Sequence, residues 1–311
     1  MVDRGADPTF QELVTDIQAR DGGVDHPPLD RFVVETETVI DEVQSLMEAY
    51  HAPDGRQSVW PAPVVVETTT NRCFRAAYDL AEQFDVMTTA HVAEAEAQEQ
   101  RDISSIEYLR NVGYLGERAL LGHCVQIDEG DVRILAATDT AVAHNFMANM
   151  RLATGFAPVA AMLDAGVTVG LGTDNSILSD TINPLSDVRA MAGGHKGYHR
   201  DPGVVPAGTA FDMLTIEAAG AIGRRESLGS IEVGKQADIA IVDLDYPHLT
   251  PCPDPIFALV HNAQGFEVET VVCAGDVVMR DREILSFDNV DDVLAAASRT
   301  AADLVERTGY D

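Results

Sequence analysis

Five residues that could bind a metal or move a proton stand at the ends of short apolar runs: Glu67, His91, His123, His144 and Asp174. Neutral imidazoles and carboxylates ligate divalent metals, and both groups exchange protons near neutral pH. His91 opens His91-Val92-Ala93-Glu94, which sets a metal ligand three residues before a proton-handling carboxylate. Taken singly, that pair also fits a buried histidine followed by an exposed glutamate. His123 in LGHC and His144 in VAHN each fit a hydrogen-bonded core histidine. Asp174 in GLGTDN fits a turn aspartate capping the next element. Their recurrence at one position of a repeating unit is what unrelated core and turn residues do not explain. Three histidines and two acids at successive strand ends predict a metal site at the mouth of a barrel.

The elements that must position these residues alternate. Thr36–Tyr50 carries Val39, Ile40, Val43, Leu46, Met47 and Tyr50 on one helical face. Residues 63–67 read as a short buried strand, and Phe74, Ala77, Tyr78, Ala81 and Phe84 repeat at helical spacing. Strands are expected over 86–91, 119–123, 141–144 and 167–174. Between them, Ser104 and Glu107 open a helix that Gly113 closes, and Asp128 caps one running through Leu135. Pro158 starts another that stops at Gly166. Thr209 and Asp212 begin a helix reaching about Ile222. Strand–helix alternation predicts an α/β fold with a parallel sheet and crossover helices. From Leu228 the character changes to glycine turns and β-branched runs, around Ala274-Gly275-Asp276, and predicts a small β-unit. Residues 288–308 form a final amphipathic helix with Gly309 as its stop. The expected division is 1–227, 228–287 and 288–311.

Composition narrows the partners. Against 51 acidic residues stand 21 basic ones, a net charge of −30, and the only lysines are Lys196 and Lys235. Such a surface repels nucleic acid and anionic membranes, which bind through basic residues that release counterions. The acids are spread along the whole chain, which favours adaptation to high salt over an acidic patch for a cationic partner. The longest apolar runs are of strand length, far short of a membrane span, and the N-terminus lacks a signal pattern. A cytoplasmic, halophilic protein is expected. Cys73, Cys124, Cys252 and Cys273 form no CxxC pair, so free thiols are expected rather than a structural zinc site.

The segments TTAHVAEAEAQ, LRNVGYLGERALLGHC, VAHNFMANMRLATGFAPVAAMLDAGVTVGLGTDN and LGSIEVGKQADIAIVDLDYPHLTP resemble the amidohydrolase superfamily. The branch is that of S-adenosylhomocysteine and methylthioadenosine deaminases, guanine deaminase and triazine chlorohydrolases. The resemblance implies a TIM-type (β/α) barrel of metal-dependent hydrolases with a small β-sandwich. It implies that His91 and Asp174 bind a divalent metal, zinc first and iron second. Glu94 would contact substrate and shuttle protons, His123 would orient or polarise the attacked group, and Asp174 would also serve as general base. Asn175 would line the pocket, Asn149 would shape its loop, and His144 has a family counterpart without an assigned role. The implied reaction is hydrolysis of a non-peptide carbon–nitrogen bond, deaminating a purine-like or other N-heterocyclic small molecule.

Two features depart from the pattern. The family's His-x-Pro-x-Ser-Asn loop is His144-Asn145-Phe146-Met147-Ala148-Asn149 here. No two of the nine histidines are spaced as His-x-His, the family's first metal-binding pair. His195 and His199 fall in a Gly-rich segment and read as surface or loop residues. On this mapping the barrel is incomplete, lacking about three N-terminal strands and part of the sandwich. A homo-oligomer or a complementing N-terminal segment would then complete it. The alternative is a catalytically incomplete barrel-like subunit.

Overall fold

Each long apolar run of the central region packs as a strand flanked by helices, and capping side chains set where those helices begin. The structure is a computed structural model that describes residues 2–3, 33–52, 57–96, 102–175, 182–287 and 289–308. Helix α1 spans Thr36–Tyr50 and α2 spans Asn71–Phe84. Thr70 caps α2 by accepting from the Cys73 amide at 3.2 Å. Strand β1 is Thr88–Val92, helix α3 Ser105–Val112, and strand β2 Ala119–His123. Ser104 caps α3 from the Glu107 amide, and Gly113 ends it at φ 82°. Helix α4, Glu129–Ala137, opens with a reciprocal capping box between Asp128 and Asp131. Strand β3 (Ala141–His144) leads into α5 (Phe146–Arg151) and α6 (Val159–Asp164), and β4 is Val169–Leu171.

The four strands form one parallel sheet in the order β1-β2-β3-β4. Their helices bury its faces in a core that includes Phe74, Leu109, Tyr114, Leu121, Val142 and Met191. The buried Thr88 hydroxyl bonds the Pro61 carbonyl and the Tyr114 hydroxyl, so the polar start of β1 is satisfied.

Three expected elements differ. The strand over 63–67 shrinks to a single bridge from Val65 to His91, followed by a 3-10 turn at Val66–Thr68. The chain must turn there, because the Thr70 cap starts α2 almost at once. The strand over 167–174 is only Val169–Leu171. Gly170 lies against the Ala218 backbone and Gly172 against Asn145, and Asp174 already has φ 59°. The helix expected to run to about Ile222 is two, α8 (Ala207–Leu214) and α9 (Ile216–Ala221). They break at Thr215, at φ −122° and ψ −91°, where the hydroxyl bonds back to the Phe211 carbonyl at 2.7 Å. The Gly-rich segment is itself a helix, α7, Pro184–His199, with Asn183 as its cap and proline in its first turn.

Beyond Leu228, β5 (Ile239–Val242), helix α10 (Pro255–His261), β6 (Val268–Cys273), β7 (Asp276–Arg280) and β8 (Glu283–Ile284) follow. The strands form a second, antiparallel sheet in the order β8-β7-β6-β5. Two-residue loops join β6–β7 and β7–β8, with positive φ at Ala274, Gly275, Asp281 and Arg282, the turn geometry that matches strand twist. Helix α11, Val290–Thr308, buries no residue. Its expected stop, Gly309, and Asp288 lie outside the described residues. All four cysteines are free. Among the described residues no helix is long and apolar enough to cross a membrane.

A Cβ on Gly170 would stand 2.9 Å from Ala218 Cα, which is backbone and cannot give way. Gly170→Ala therefore costs about 1–3 kcal/mol of stability, read as a lower urea midpoint. Gly193→Ala is the control: nothing lies within 4 Å in α7, so the midpoint holds or rises. Equal midpoints for Gly170→Ala and wild type would remove β4–α9 packing as the constraint on strand length.

Candidate metal centre

Parallel pairing sets Val92 directly opposite His123, so the carboxyl ends of β1 and β2 lie side by side. His91 Nδ1 comes within 2.9 Å of His123 Nε2, with the rings stacked at 5.1 Å. Beyond β1, Ala93 adopts φ 49° and the chain doubles back, which carries Glu94 Oε1 to 3.6 Å from His123 Nδ1. Asp174 arrives from beyond β4, its Oδ2 3.7 Å from His123 Nε2. His123 is the hub of the cluster and only 1 % exposed.

The backbone is strained around this cluster. Ala93, His123, Cys124 and Asp174 all have positive φ, between 47° and 72°. Non-glycine residues pay for that conformation, and such strain gathers at functional sites. Two asparagines of the β3–α5 turn brace the cluster. Asn149 Oδ1 lies 2.9 Å from His123 Nδ1, and Asn145 Nδ2 donates to Asp174 Oδ2 at 3.4 Å. The Asn175 amide donates to Asp174 Oδ1 at 2.7 Å, and Asn175 itself is exposed beside it.

His91, Glu94 and His123 each offer one ligand atom, all within 4.8 Å of one another, and Asp174 adds a carboxylate beside them. Imidazole nitrogen and carboxylate oxygen are the donors that zinc or ferrous iron prefers. Desolvation, and then the neighbouring His123, hold the His91 pKa below its ordinary value. An unprotonated ring is the form that binds metal. The residues present thus fit a divalent ion.

Glu67 is buried in the 3-10 turn that follows the Val65 bridge. His144, at the end of β3, is wholly buried and faces away from solvent into a second pair. Its Nε2 lies 3.0 Å from His195 Nε2. His195 is therefore a core residue, contrary to the surface or loop position expected for it. Its periodicity with Val188, Met191 and Ala192 marks a buried helical face, which the surrounding glycines obscure in the sequence. Gly194 is needed because Phe146 packs where its Cβ would be. His199, one turn on, is exposed as expected. Burial, then His195 and His123, push His144 down to about 3; burial, then His199 and Lys196, push His195 down to about 4. Also unforeseen is Asp187 in the first turn of α7, which burial raises to about 6.

A family model described as "Amidohydrolase family" matches residues 22–278. The S-triazine hydrolase of Gordonia rubripertincta is 36 % identical over 279 residues, covering 89 % of this chain and 58 % of that protein. A 5-methylthioadenosine/S-adenosylhomocysteine deaminase of Halobacterium salinarum is 36 % identical over 83 % of this chain and 60 % of its own length. The chain thus spans about three fifths of the length of these relatives. Among solved structures, an adenosine deaminase from Xanthomonas campestris with bound zinc superposes with a TM-score of 0.80 at 28 % identity. That match covers 86 % of this chain and 61 % of the other. An atrazine chlorohydrolase from Arthrobacter aurescens complexed with zinc gives 0.79 at 26 %, covering 90 % and 63 %.

The buried histidine pair makes the fold acid-sensitive in a defined direction. In the unfolded chain both rings take a proton near their ordinary value, about 6.5. In the fold they resist until about 3 and about 4. Their contribution is complete above about pH 6.5 and is lost as pH falls toward 4. His195→Gln removes one of the two protons. It reduces the stability lost between about pH 7 and about pH 4.5 by roughly 2 kcal/mol. Urea melts at both pH values measure this; an unchanged acid loss in the variant would show that His195 is not held neutral.

Proposed function

Because this chain belongs to the amidohydrolase family, we propose that it is a metal-dependent hydrolase of non-peptide carbon–nitrogen bonds, deaminating a purine-like ring of the adenosine type. The observation that carries this reading is the convergence of His91, Glu94, His123 and Asp174 at the carboxyl end of one parallel sheet. Relatives named for deamination of adenosine derivatives and for hydrolysis of triazines support a small N-heterocyclic substrate.

His91 and Asp174 hold the ion in this reading, and zinc is favoured because the compared structures carry it. A bound zinc ion lowers the pKa of water and supplies hydroxide near neutral pH. Asp174 Oδ2 accepts the proton of the attacking water. The Glu94 carboxyl delivers a proton to the ring nitrogen beside the attacked carbon, which becomes tetrahedral. His123 orients the group under attack, and Asn175 borders the ring. On collapse of the adduct the proton held by Asp174 passes to the departing amine, which leaves as ammonia, while the adduct's hydroxyl proton returns to Glu94 and a carbonyl remains.

The division into a barrel part (1–227), a β-unit (228–287) and a terminal helix (288–311) is part of the same reading. The parallel sheet falls wholly in the first, the antiparallel sheet in the second and α11 in the third. The barrel sheet is extended past β1 by a second copy or a complementing N-terminal segment. Among the described residues the outer side of β1 meets the segment 61–65 through the Val65 bridge and amide bonds to the Pro61 and Val64 carbonyls, without a paired strand, which supports this.

Zinc-loaded chain should release ammonia from adenosine, 5′-methylthioadenosine or a related nucleoside, and chelated chain should not. Asp174→Asn should lower kcat by about 10²–10⁴-fold. No ammonia from nucleoside, nucleobase or amino-triazine panels with the metal loaded would sink the deaminase reading.

We also read the net charge of −30 as salt adaptation. Self-repulsion among spread carboxylates is screened within a few ångströms at molar salt. The thermal midpoint should therefore rise from about 0.1 M to about 3 M KCl; a flat or falling midpoint would contradict it.

A further inference from the structure

We infer that Asn149 is a positioning residue that fixes the tautomer of His123, placing the ring proton on Nδ1 and the lone pair on Nε2. The inference rests on the reading above that His123 acts at the reacting centre.

His123 is 1 % exposed and Asn149 is fully buried, so bulk water does not choose between the tautomers. A neutral imidazole has one ring proton, and it goes where the better acceptor stands. At Nδ1, Asn149 Oδ1 is 2.9 Å away, within hydrogen-bond range, with Glu94 Oε1 at 3.6 Å behind it. A lone pair at Nδ1 would face that carboxylate oxygen and be repelled. At Nε2, the carboxylate of Asp174 is 3.7 Å off, too far to bond. The near neighbour there is His91 Nδ1, at 2.9 Å, which can supply its own proton. The self-consistent chain of donors runs from His91 Nδ1–H to His123 Nε2, and from His123 Nδ1–H to Asn149 Oδ1. It leaves the other nitrogen of His91, Nε2, as a lone pair. Metal-ligating histidines are commonly set in this way, by giving away the proton of the second nitrogen.

Asn149 is itself held so that it can choose. Its amide donates to the Asn145 carbonyl at 3.0 Å, and its carbonyl accepts from the Thr154 amide at 3.0 Å. Its side-chain Nδ2 is buried without a partner, so the contact to His123 is the amide group's one polar bond. Asn145, one turn earlier in the same segment, reaches Asp174. One short turn of α5 thus reaches two of the four site residues.

The test is long-range ¹H–¹⁵N NMR on the full chain with labelled histidine, metal-free and zinc-loaded, with His123→Gln to assign the resonance. Wild type should show His123 as the Nδ1–H tautomer. Asn149→Asp keeps an acceptor and should keep it; Asn149→Leu should shift the population to Nε2–H. If the chain deaminates a nucleoside, Asn149→Leu should lower kcat about 10–100-fold with KM little changed, and Asn149→Asp should recover part of it. An Nε2–H tautomer in wild type, or an unmoved tautomer in Asn149→Leu, overturns the inference. If Asn149→Leu fails to fold, the wild-type tautomer and its retention in Asn149→Asp decide. The NMR readout needs no turnover. An Nδ1–H signal without ammonia release counts against the deaminase reading alone.

Discussion

The parallel register of β1 on β2 sets the distances on which the site depends. Because Val92 pairs with His123, the ring of His91 overlies the ring of His123 instead of pointing past it. A slip of one residue would turn every side chain of β1 to the other face of the sheet. His91 would then enter the helix layer, and Val92 would take its place beside His123. The register is held from both ends. Thr88 is anchored to Pro61 and Tyr114 at the start of the strand, and the Cys124 amide bonds the Val92 carbonyl at its end.

Bringing polar groups together at a sheet end has a cost, and the surrounding structure offsets it. His123 has a neighbour at each nitrogen, and Asp174 accepts from Asn145 and from its own following amide. Deeper in, His144 and His195 are buried and satisfy one nitrogen each through one another. They remain neutral because burial first, and then neighbouring basic groups, oppose a proton: His195 and His123 for His144, His199 and Lys196 for His195. The four positive-φ residues around the cluster carry a further cost, of the kind that persists where the surrounding structure over-determines the backbone.

Much of this is legible in the sequence. The strands carrying His91, His123 and His144 follow from apolar runs, and Ser104, Asp128 and Gly113 mark helix ends because capping is a local property. Features that depend on contacts distant in sequence were not legible. The strand over 167–174 is cut short by α9 against Gly170 and by Asn145 against Gly172. Thr215 breaks a helix through a hydroxyl that the composition alone would leave neutral. His195 was hidden because Gly193, Gly194 and Gly197 weaken helix propensity, while tertiary packing on Phe146 restores the helix. Asn145 and Asn149 read as loop residues until β3 delivers them against the cluster.

The charge distribution fits the same centre. A chain with 51 acids and 21 bases presents a negative field in which divalent cations concentrate and anions are depleted. That field would favour loading an ion onto the proposed ligands His91 and Asp174, and it disfavours phosphorylated ligands. An uncharged ring such as a nucleoside is indifferent to it, which suits the substrate class proposed above. The same field works against the neutral His144–His195 pair only weakly, because burial removes the solvation a proton there would need. The surface charge and the short-range contacts of the site are thus separable. Molar salt would screen the surface and leave the close contacts of His123 with His91 and Asn149 almost unchanged, since these lie well inside any Debye length.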